Sequence, residues 1–183
     1  MKKVITIPNI ISLFRIVLIP VFCLLYFSGL EKGFVYAFEI VILSALSDVI
    51  DGFIARKFNM ISDVGKVLDP IADKLTQVAL VVCLTFNHKM LFPVLSVLVT
   101  KELLTAVAAA LWLKNGREPI SARWWGKVST ALLYTSFMYY ILCDIFAYNN
   151  MYIEVFFTAI TIAFLLFSMC SYIKLVIYNK PQN

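Results

Sequence analysis

Residues 151–177 read MYIEVFFTAITIAFLLFSMCSYIKLVI, and this stretch decides the class of fold. It carries only two charged side chains, Glu154 and Lys174. A helix needs roughly 20 apolar residues to cross the ~30 Å hydrocarbon layer of a bilayer, and the stretch exceeds that length. In lipid a single segment satisfies its own backbone hydrogen bonds only as a helix. The sequence therefore predicts a transmembrane α-helix here.

Five further segments have the same character. Of the 183 residues, 62% are hydrophobic and only 15% are charged, a balance unlike that of soluble domains. The six predicted spans are 10–27, 34–54, 67–86, 90–113, 128–146 and 151–177. The connecting loops are short and show no repeat. We therefore expect an all-α integral membrane protein, with one domain over residues 1–183 built as a bundle of six transmembrane helices.

The basic residues outside the spans, together with Lys174 near the end of the sixth span, are unevenly divided between the two sides. Two of them, Lys32 and Lys89, fall on one side, and eleven fall on the side of the termini. The eleven are Lys2, Lys3, Arg56, Lys57, Lys66, Lys114, Arg117, Arg123, Lys127, Lys174 and Lys180. An excess of Lys and Arg marks the cytoplasmic side, so we expect a bacterial-type cytoplasmic membrane with both termini in the cytoplasm. The net charge is +5, but the basic residues form no continuous stripe, so no nucleic-acid partner is predicted.

Ionisable residues inside the predicted spans are the main pointer to function. A charge at the bilayer centre costs at least about 2.5–3.5 kcal/mol on insertion scales, so such residues usually face a polar cavity or a functional path. Besides Glu154 and Lys174 near the two ends of the sixth span, the spans contain Arg15, Glu39, Asp48, Asp51, Asp69, Asp73, Lys74, Lys101, Glu102 and Asp144. The single histidine, His88, is in a short loop, where we expect a solvated side chain and no zinc site.

Four of these aspartates are on two consecutive predicted helices. Residues 48–56 read DVIDGFIAR, and residues 65–73 read GKVLDPIAD. At about 100° per residue, one stripe of the first helix carries Asp48, Asp51, Gly52 and Ala55. One face of the second helix likewise carries Gly65, Asp69, Ala72 and Asp73. The short connection makes the two helices antiparallel neighbours, so their acidic faces can meet.

Four converging carboxylates repel one another in a low dielectric and need a compensating charge. Oxygen ligands without nearby His or Cys favour Mg²⁺, Mn²⁺ or Ca²⁺ over zinc or copper, and Mg²⁺ is often shared with phosphate. Gly52 and Ala55 leave room beside the acids, and Arg56 can bind a phosphate with its forked guanidinium. The sequence thus predicts a polar active-site cavity on the cytoplasmic side that holds metal and a diphosphate. For any single residue, close packing of helices is the alternative interpretation.

The pattern D-x2-D-G-x2-A-R-x8-G-x3-D-x3-D resembles the signature of the CDP-alcohol phosphotransferases. It is filled here by Asp48, Asp51, Gly52, Ala55, Arg56, Gly65, Asp69 and Asp73. The resemblance implies a six-helix membrane enzyme, commonly dimeric, that transfers a phosphate-linked alcohol from a CDP-activated donor to an acceptor hydroxyl and releases CMP. We therefore also expect membrane lipids and a second copy of the chain as partners.

The resemblance also implies roles for individual residues. Asp48, Asp51 and Asp69 would hold a two-metal centre of Mg²⁺ or Mn²⁺, and Asp73 would complete it and act as the general base. The donor would be bound by Gly52, Ala55, Arg56 and Gly65. Asn9 and Arg15 match the opening of phosphatidylglycerophosphate synthases and are further candidate donor contacts. For these two, a helix start and a snorkelling side chain are the alternatives.

Within the family, the chain most resembles the phosphatidylglycerophosphate synthases and also the related bacterial cardiolipin synthases. The donor would be CDP-diacylglycerol, and the acceptor would be glycerol 3-phosphate or another alcohol such as phosphatidylglycerol. The residues that would bind the acceptor are Lys101, Arg117, Arg123 and Lys127. Lys101 stands where those synthases commonly have arginine, and Ser129 where they have lysine. For Arg117, Arg123 and Lys127, the alternative role is to set the membrane topology and to attract anionic lipid headgroups.

Two other classes of function are open at this point. Intramembrane prenyltransferases also bind lipid diphosphates through aspartates, but their two Asp-rich motifs lie far apart in longer chains. A small cation channel or carrier would need carboxylates near the midplane of the membrane and an open route to the far side. Here all four aspartates lie between positions 48 and 73, toward one predicted face of the membrane. Both classes are therefore remote alternatives.

Overall fold

The computed structural model describes residues 7–57, 65–114 and 124–178, without the side chains at positions 7, 8, 49, 52, 55, 56, 66, 67, 109, 111–114 and 176–178. Within these ranges every regular element is helical. The elements are α1 (Ile7–Tyr26), α2 (Gly33–Lys57), α3 (Gly65–Asn87), a 3-10 turn (Lys89–Leu91), α4 (Phe92–Lys114), α5 (Trp124–Phe146) and α6 (Met151–Tyr178). The predicted all-α class is confirmed for the described part of the chain.

The helices reach beyond the apolar segments that predict them. For example, α2 continues three residues past position 54 to Lys57, and α5 begins at Trp124 rather than at position 128. Backbone hydrogen bonding continues into polar flanks, whereas hydropathy marks only the part of a helix that suits lipid. The sequence therefore located the helices well and their ends less well.

Four of the described helices are long and apolar enough to cross a membrane. The qualifying stretches are Asn9–Tyr26, Lys89–Ala108, Trp124–Phe146 and Met151–Leu175. Their outward surfaces are apolar, with Leu24 73% exposed and Tyr152 88% exposed. Large exposed apolar surfaces of this kind suit lipid rather than water. The chain is thus a multi-pass membrane protein. Neither α2 nor α3, which carry the four aspartates, is among the qualifying helices, and the count of six spans stays a prediction.

The chain forms two compact units. The first unit comprises Met1–Cys83 and Cys143–Ala147, and the second comprises Leu84–Leu142 and Tyr148–Asn183. The first unit contains α1, α2 and most of α3, and therefore all four aspartates. The assignment of the whole chain to one domain stays a prediction.

A tight connection sets α1 against α2 in the first unit. Gly29 adopts a φ of +65°, a left-handed conformation that glycine tolerates best. At Gly33, which begins α2, a Cβ atom would lie 2.9 Å from the carbonyl oxygen of Leu25 and 2.8 Å from Oγ of Ser28. Only glycine allows so close an approach to the backbone of α1. These two positions therefore bring the chain back along α1 after a short loop.

The buried face of α1 changes in character along its length. Toward the C-terminus it is apolar, with Leu18, Phe22 and Tyr26 buried at helical spacing. These side chains share the core of the first unit with Ala37, Val41, Leu80 and Val81. Toward the N-terminus the same face of α1 is polar. The core of the first unit therefore passes into a polar site at one end of α1.

The second unit has its own core and polar contacts between helices. Its largest buried side chains include Leu98, Phe137, Tyr140 and Leu165. Hydroxyl groups of α5 and α6 lie 2.7 Å apart at Ser136 and Thr161. Side-chain hydroxyl contacts of this kind connect helices in membrane proteins, where little hydrophobic force acts between them.

Candidate active site

A polar stripe runs along the N-terminal half of α1. Asn9, Ser12 and Arg15 follow one another at intervals of three residues and are 7%, 0% and 2% exposed. Residues three or four apart share a helix face, so the three side chains point into the first unit together. The neighbouring Leu13 and Phe14 are exposed and apolar. The stripe is therefore the inward face of a helix whose other side suits lipid.

Arg15 gathers three of the four predicted site aspartates. Its Nη1 donates to Oδ1 of Asp48, and its Nη2 lies 3.3 Å from Oδ2 of Asp51. The same Nη2 lies 3.8 Å from Oδ1 of Asp69. Asp48 and Asp51 come from α2 and Asp69 from α3, so carboxylates of both predicted acidic faces meet at one guanidinium.

Ser12 connects α1 to the same cluster. Its hydroxyl donates a hydrogen bond to Oδ1 of Asp69, the oxygen that also faces Arg15. Ser12 is fully buried, so its hydroxyl is held in place by the surrounding side chains. Asp69 is therefore positioned by two side chains of one helix, Ser12 and Arg15.

The three carboxylates differ in access to the surface. The side chain of Asp51 is 4% exposed, whereas those of Asp48 and Asp69 are 53% and 41% exposed. A buried carboxylate needs a partner charge at all times, because isolating a charge in a low dielectric is costly. Asp51 therefore depends on Arg15, while Asp48 and Asp69 can also face an entering ligand.

Asp73 is one turn beyond Asp69 on α3 and has a different partner. Nε2 of the buried Gln77 donates a hydrogen bond of 2.8 Å to Oδ2 of Asp73. The two residues are four apart on one helix, the spacing at which side chains meet. Gln77 thus orients the carboxyl group that the sequence predicts as the general base.

The charges of this site fit a hard cation. Asp48, Asp51 and Asp69 carry three formal negative charges against the one positive charge of Arg15, and their oxygens are the ligands that Mg²⁺ and Mn²⁺ prefer. Among the described residues, however, no three Asp, Glu, His or Cys side chains are arranged to hold a metal ion. The three carboxylates are therefore suitable ligands for a divalent metal, but in this structure they are arranged around Arg15.

A small apolar crevice, with space for about one water molecule, lies beside the Arg15 side chain. It is lined by Arg15, Leu18, Ile19, Phe22, Ile40, Val41, Ser44, Thr76, Ala79 and Leu80. Nε of Arg15 is buried and has no hydrogen-bond partner among the described residues. The terminal nitrogens of the guanidinium thus contact carboxylates, and little space is left beside the side chain.

The predicted donor-binding residues are only partly described. Gly52, Ala55 and Arg56 lie on α2, but their side-chain positions are outside the described residues. Gly65 is buried at the start of α3, and Asn9 is buried on α1. The helix positions of these residues are known, and their roles stay predictions. Arg15 is buried among carboxylates, so the snorkelling alternative for it is wrong.

Two of the four predicted acceptor-binding residues, Lys101 and Lys127, are described and belong to the second unit. Nζ of Lys101 lies 2.8 Å from Oε1 of Glu102, and the lysine is 9% exposed. Lys127 is exposed on the first turn of α5. Arg117 and Arg123 lie outside the described residues. Lys101 is therefore already paired with a carboxylate, which the sequence alone did not indicate.

The expectation of a solvated His88 is wrong. The residue is 9% exposed, and its ring centroid lies 4.7 Å from that of Tyr140. Its Nδ1 lies 3.6 Å from Oε1 of the buried Glu154. The loop is so short that His88 still bonds the last turn of α3 through its backbone N–H, which points the ring into the second unit. A short loop in a helical protein need not face water.

Sequence reasoning missed Ser12 and Gln77 as contacts of the acidic residues. A signal for Ser12 was present, because Asn9, Ser12 and Arg15 repeat every three residues in an otherwise apolar segment. A signal for Gln77 was its position four residues after Asp73. Neither signal identifies a contact of the site until the positions of the acidic residues are known.

The chain is similar in sequence to proteins of one known family. The family model for CDP-alcohol phosphatidyltransferase matches residues 5–169. The cardiolipin synthase (CMP-forming) of Streptomyces coelicolor is 33% identical over 146 residues, which cover 78% of this chain and 67% of that protein.

Two further relatives are named CDP-diacylglycerol--glycerol-3-phosphate 3-phosphatidyltransferase. The protein from Aquifex aeolicus is 31% identical over 144 residues, 78% of this chain and 79% of its own length. The protein from Haemophilus influenzae is 29% identical over 152 residues, 81% of this chain and 80% of its own length. Relatives named for two different activities are thus similar to most of this chain.

Proposed function

This chain belongs to the CDP-alcohol phosphatidyltransferase family, and on that premise we propose that it transfers a phosphatidyl group from CDP-diacylglycerol to glycerol 3-phosphate. The products are phosphatidylglycerophosphate and CMP, and the reaction is a step of phospholipid biosynthesis. The observation that carries the proposal is the meeting of Asp48, Asp51 and Asp69, from two helices, at one positive charge. The names of the Aquifex and Haemophilus relatives support the acceptor.

The divalent metal is assigned to the aspartates. Asp48, Asp51, Asp69 and Asp73 would hold Mg²⁺ or Mn²⁺ in a two-metal site, in a family that is generally dependent on divalent metal. The partly exposed oxygens of Asp48 and Asp69 support this assignment. When bound, the metal supplies positive charge to the diphosphate of the donor and to the departing CMP.

Asp73 is the residue that would accept the proton. The acceptor hydroxyl oxygen forms a bond to the phosphorus that bears diacylglycerol, and the bond from that phosphorus to the CMP oxygen breaks. The hydroxyl proton passes to the carboxylate of Asp73, and CMP leaves with the electron pair of the broken bond. The hydrogen bond from Gln77 holds this carboxylate in one orientation, which favours proton transfer.

The remaining site residues would bind the two substrates. Gly52, Ala55, Gly65 and Asn9 would line the CDP site, with Arg56 on its phosphates, as the family pattern implies. Positive charge on α4, on α5 and between them would attract the phosphate of glycerol 3-phosphate. The residues concerned are Lys101, Arg117, Arg123 and Lys127. Because Lys101 already contacts Glu102, it would bind the phosphate only by sharing or exchanging that contact.

A second acceptor has a specific observation in its favour. The relative from Streptomyces coelicolor is a cardiolipin synthase (CMP-forming). In addition, Lys101 replaces an arginine and Ser129 replaces a lysine of the pattern that phosphatidylglycerophosphate synthases commonly have. Phosphatidylglycerol is therefore the alternative acceptor. The prenyltransferase and the cation channel or carrier have no supporting observation once the family is known.

The setting in the membrane completes the proposal. We place six spans in a bacterial-type cytoplasmic membrane, with both termini and the active-site cavity on the cytoplasmic side. The bias of Lys and Arg toward that side supports this orientation. A homodimer is proposed from the family resemblance alone.

The test is an acceptor assay on the purified full chain in detergent micelles or nanodiscs. Labelled CDP-diacylglycerol is supplied with Mg²⁺ and either glycerol 3-phosphate or phosphatidylglycerol, and CMP release is measured together with the lipid product. Phosphatidylglycerophosphate formed only with glycerol 3-phosphate supports the proposal. Cardiolipin formed only with phosphatidylglycerol supports the alternative, and no CMP release with either acceptor contradicts both.

A further inference from the structure

Arg15 occupies the position at which the predicted metal ligands converge. It is 2% exposed and contacts Asp48, Asp51 and Asp69 at once. A guanidinium is charged at every pH that a protein experiences, so this positive charge is permanent. It offsets part of the repulsion between three neighbouring carboxylates. The three carboxylates are therefore held together by a cation that belongs to the chain.

The same arrangement opposes a contact between Arg15 and a substrate phosphate. Three carboxylates lie around the guanidinium, and their combined negative charge exceeds its positive charge. Both terminal nitrogens of the guanidinium are already in contact with carboxylates, which leaves them less available to a phosphate. The structure thus favours a role for Arg15 toward the aspartates rather than toward the donor.

We propose that Arg15 is a tethered counter-ion that competes with the divalent metal for Asp48 and Asp69 and so lowers the metal affinity of the site. This inference rests on the metal site of the proposed function. The half-exposed Asp48 and Asp69 exchange the guanidinium for metal, whereas the buried Asp51 keeps its contact with Arg15 in both states.

Arg15→Gln is the principal test, because glutamine keeps hydrogen-bond donors but removes the charge. Arg15→Lys is the matched variant that keeps the charge and loses the fork. Lys174→Gln, at an exposed position on α6, controls for the loss of one positive charge elsewhere. Each full-length protein is stripped with EDTA, without donor or acceptor. Mn²⁺ binding is then measured from the electron paramagnetic resonance signal of the free ion, and Tm is recorded with and without Mn²⁺.

For Arg15→Gln we expect the Kd for Mn²⁺ to fall about tenfold or more, within the usual range of coupling between two sites. The Tm of the metal-free variant should fall below that of the wild type, and Mn²⁺ should raise it by more than in the wild type. Lys174→Gln should match the wild type in both measurements. An unchanged or increased Kd in Arg15→Gln would overturn the inference.

Arg15→Lys keeps the inference testable if Arg15→Gln does not fold. A lysine ammonium cannot contact two carboxylates as a fork does, so we expect Mn²⁺ to bind more tightly than in the wild type, by less than in Arg15→Gln. Weaker or unchanged binding would contradict the competition. Failure of the wild type to bind Mn²⁺ would contradict the metal site itself. A Kd for Mn²⁺ that is the same in the wild type and in the Arg15 variants would contradict only this inference.

Discussion

Nε2 of Gln77 donates a 2.8 Å hydrogen bond to Oδ2 of Asp73, one helical turn earlier on α3. Gln77 is 3% exposed, so packing restricts its amide and the amide in turn restricts the carboxylate. In this way a neutral side chain fixes the orientation of an acidic one. If Asp73 is the general base, this contact bears mainly on the rate of the reaction.

Asp73→Asn should nearly abolish turnover. Asparagine cannot accept the proton of the acceptor hydroxyl, and a general base contributes about 10²–10⁴-fold to rate. Binding of CDP to the purified variant should remain measurable by calorimetry, because most of the proposed metal ligands are kept. A near-normal rate of CMP release would show that another group is the base.

Gln77→Leu should lower kcat about tenfold, a small part of the contribution of a general base. The KM for the donor should change little, because the leucine removes only the hydrogen bond that orients Asp73. Gln77→Glu is the matched variant, and it should be slower still because it places a second carboxylate beside the first. Equal loss in kcat and in donor binding would indicate a structural role for Gln77 instead.

Asp48→Asn should weaken metal and donor binding together. The variant removes a charged oxygen ligand whose side chain is half-exposed at the site. We expect the Mg²⁺ concentration for half-maximal activity and the KM for CDP-diacylglycerol to rise about 10–100-fold or more, since losing even an outer-shell partner of a metal ligand has an effect of that size. Glu39→Gln, an exposed carboxylate earlier on α2, is the control and should leave both quantities unchanged. A normal requirement for Mg²⁺ in Asp48→Asn would remove Asp48 from the ligands.

Tyr26→Phe should destabilise the protein without changing its chemistry. The hydroxyl of the buried Tyr26 donates a 2.6 Å hydrogen bond to Oδ2 of Asp144, and its loss should cost about 1–3 kcal/mol in the free energy of unfolding. Tyr26 is eleven residues beyond Arg15, or about 16 Å along α1, so kcat should be unchanged. Thermal denaturation in detergent measures the effect, with the exposed Tyr36→Phe as control. An unaltered Tm would show that this hydrogen bond adds nothing to stability.

Cys23 and Cys83 should form a disulfide under mild oxidation. Their sulfur atoms lie 3.5 Å apart, one on α1 and the other on α3. Copper-phenanthroline treatment of the full chain, followed by mass spectrometry of proteolytic fragments, should yield the Cys23–Cys83 peptide pair. Cys23→Ser supplies the control. Recovery of both thiols unlinked, after oxidation that consumes the exposed Cys170, would contradict the contact between these helices.

The sequence alone was sufficient for the helices and for the acidic motif. Hydrophobic stretches are local, and the cost of placing a polar backbone in lipid leaves the helix as the form that one segment can adopt. The spacing of Asp48, Asp51, Asp69 and Asp73 is likewise a local property, because helical geometry converts sequence intervals into faces. The motif that contains these aspartates predicted the family, and the family model that matches residues 5–169 confirms it.

The tertiary structure decided which side chains meet. Arg15 is 33 positions from Asp48 and 36 from Asp51, and no local pattern tells which way its guanidinium turns. The same holds for the contact of His88 with Glu154. Such pairs depend on how helices rotate and cross when their side chains interlock, a property of the packed chain as a whole. The sequence determined that carboxylates gather at the ends of two helices, and packing determined that an arginine of a third helix lies among them.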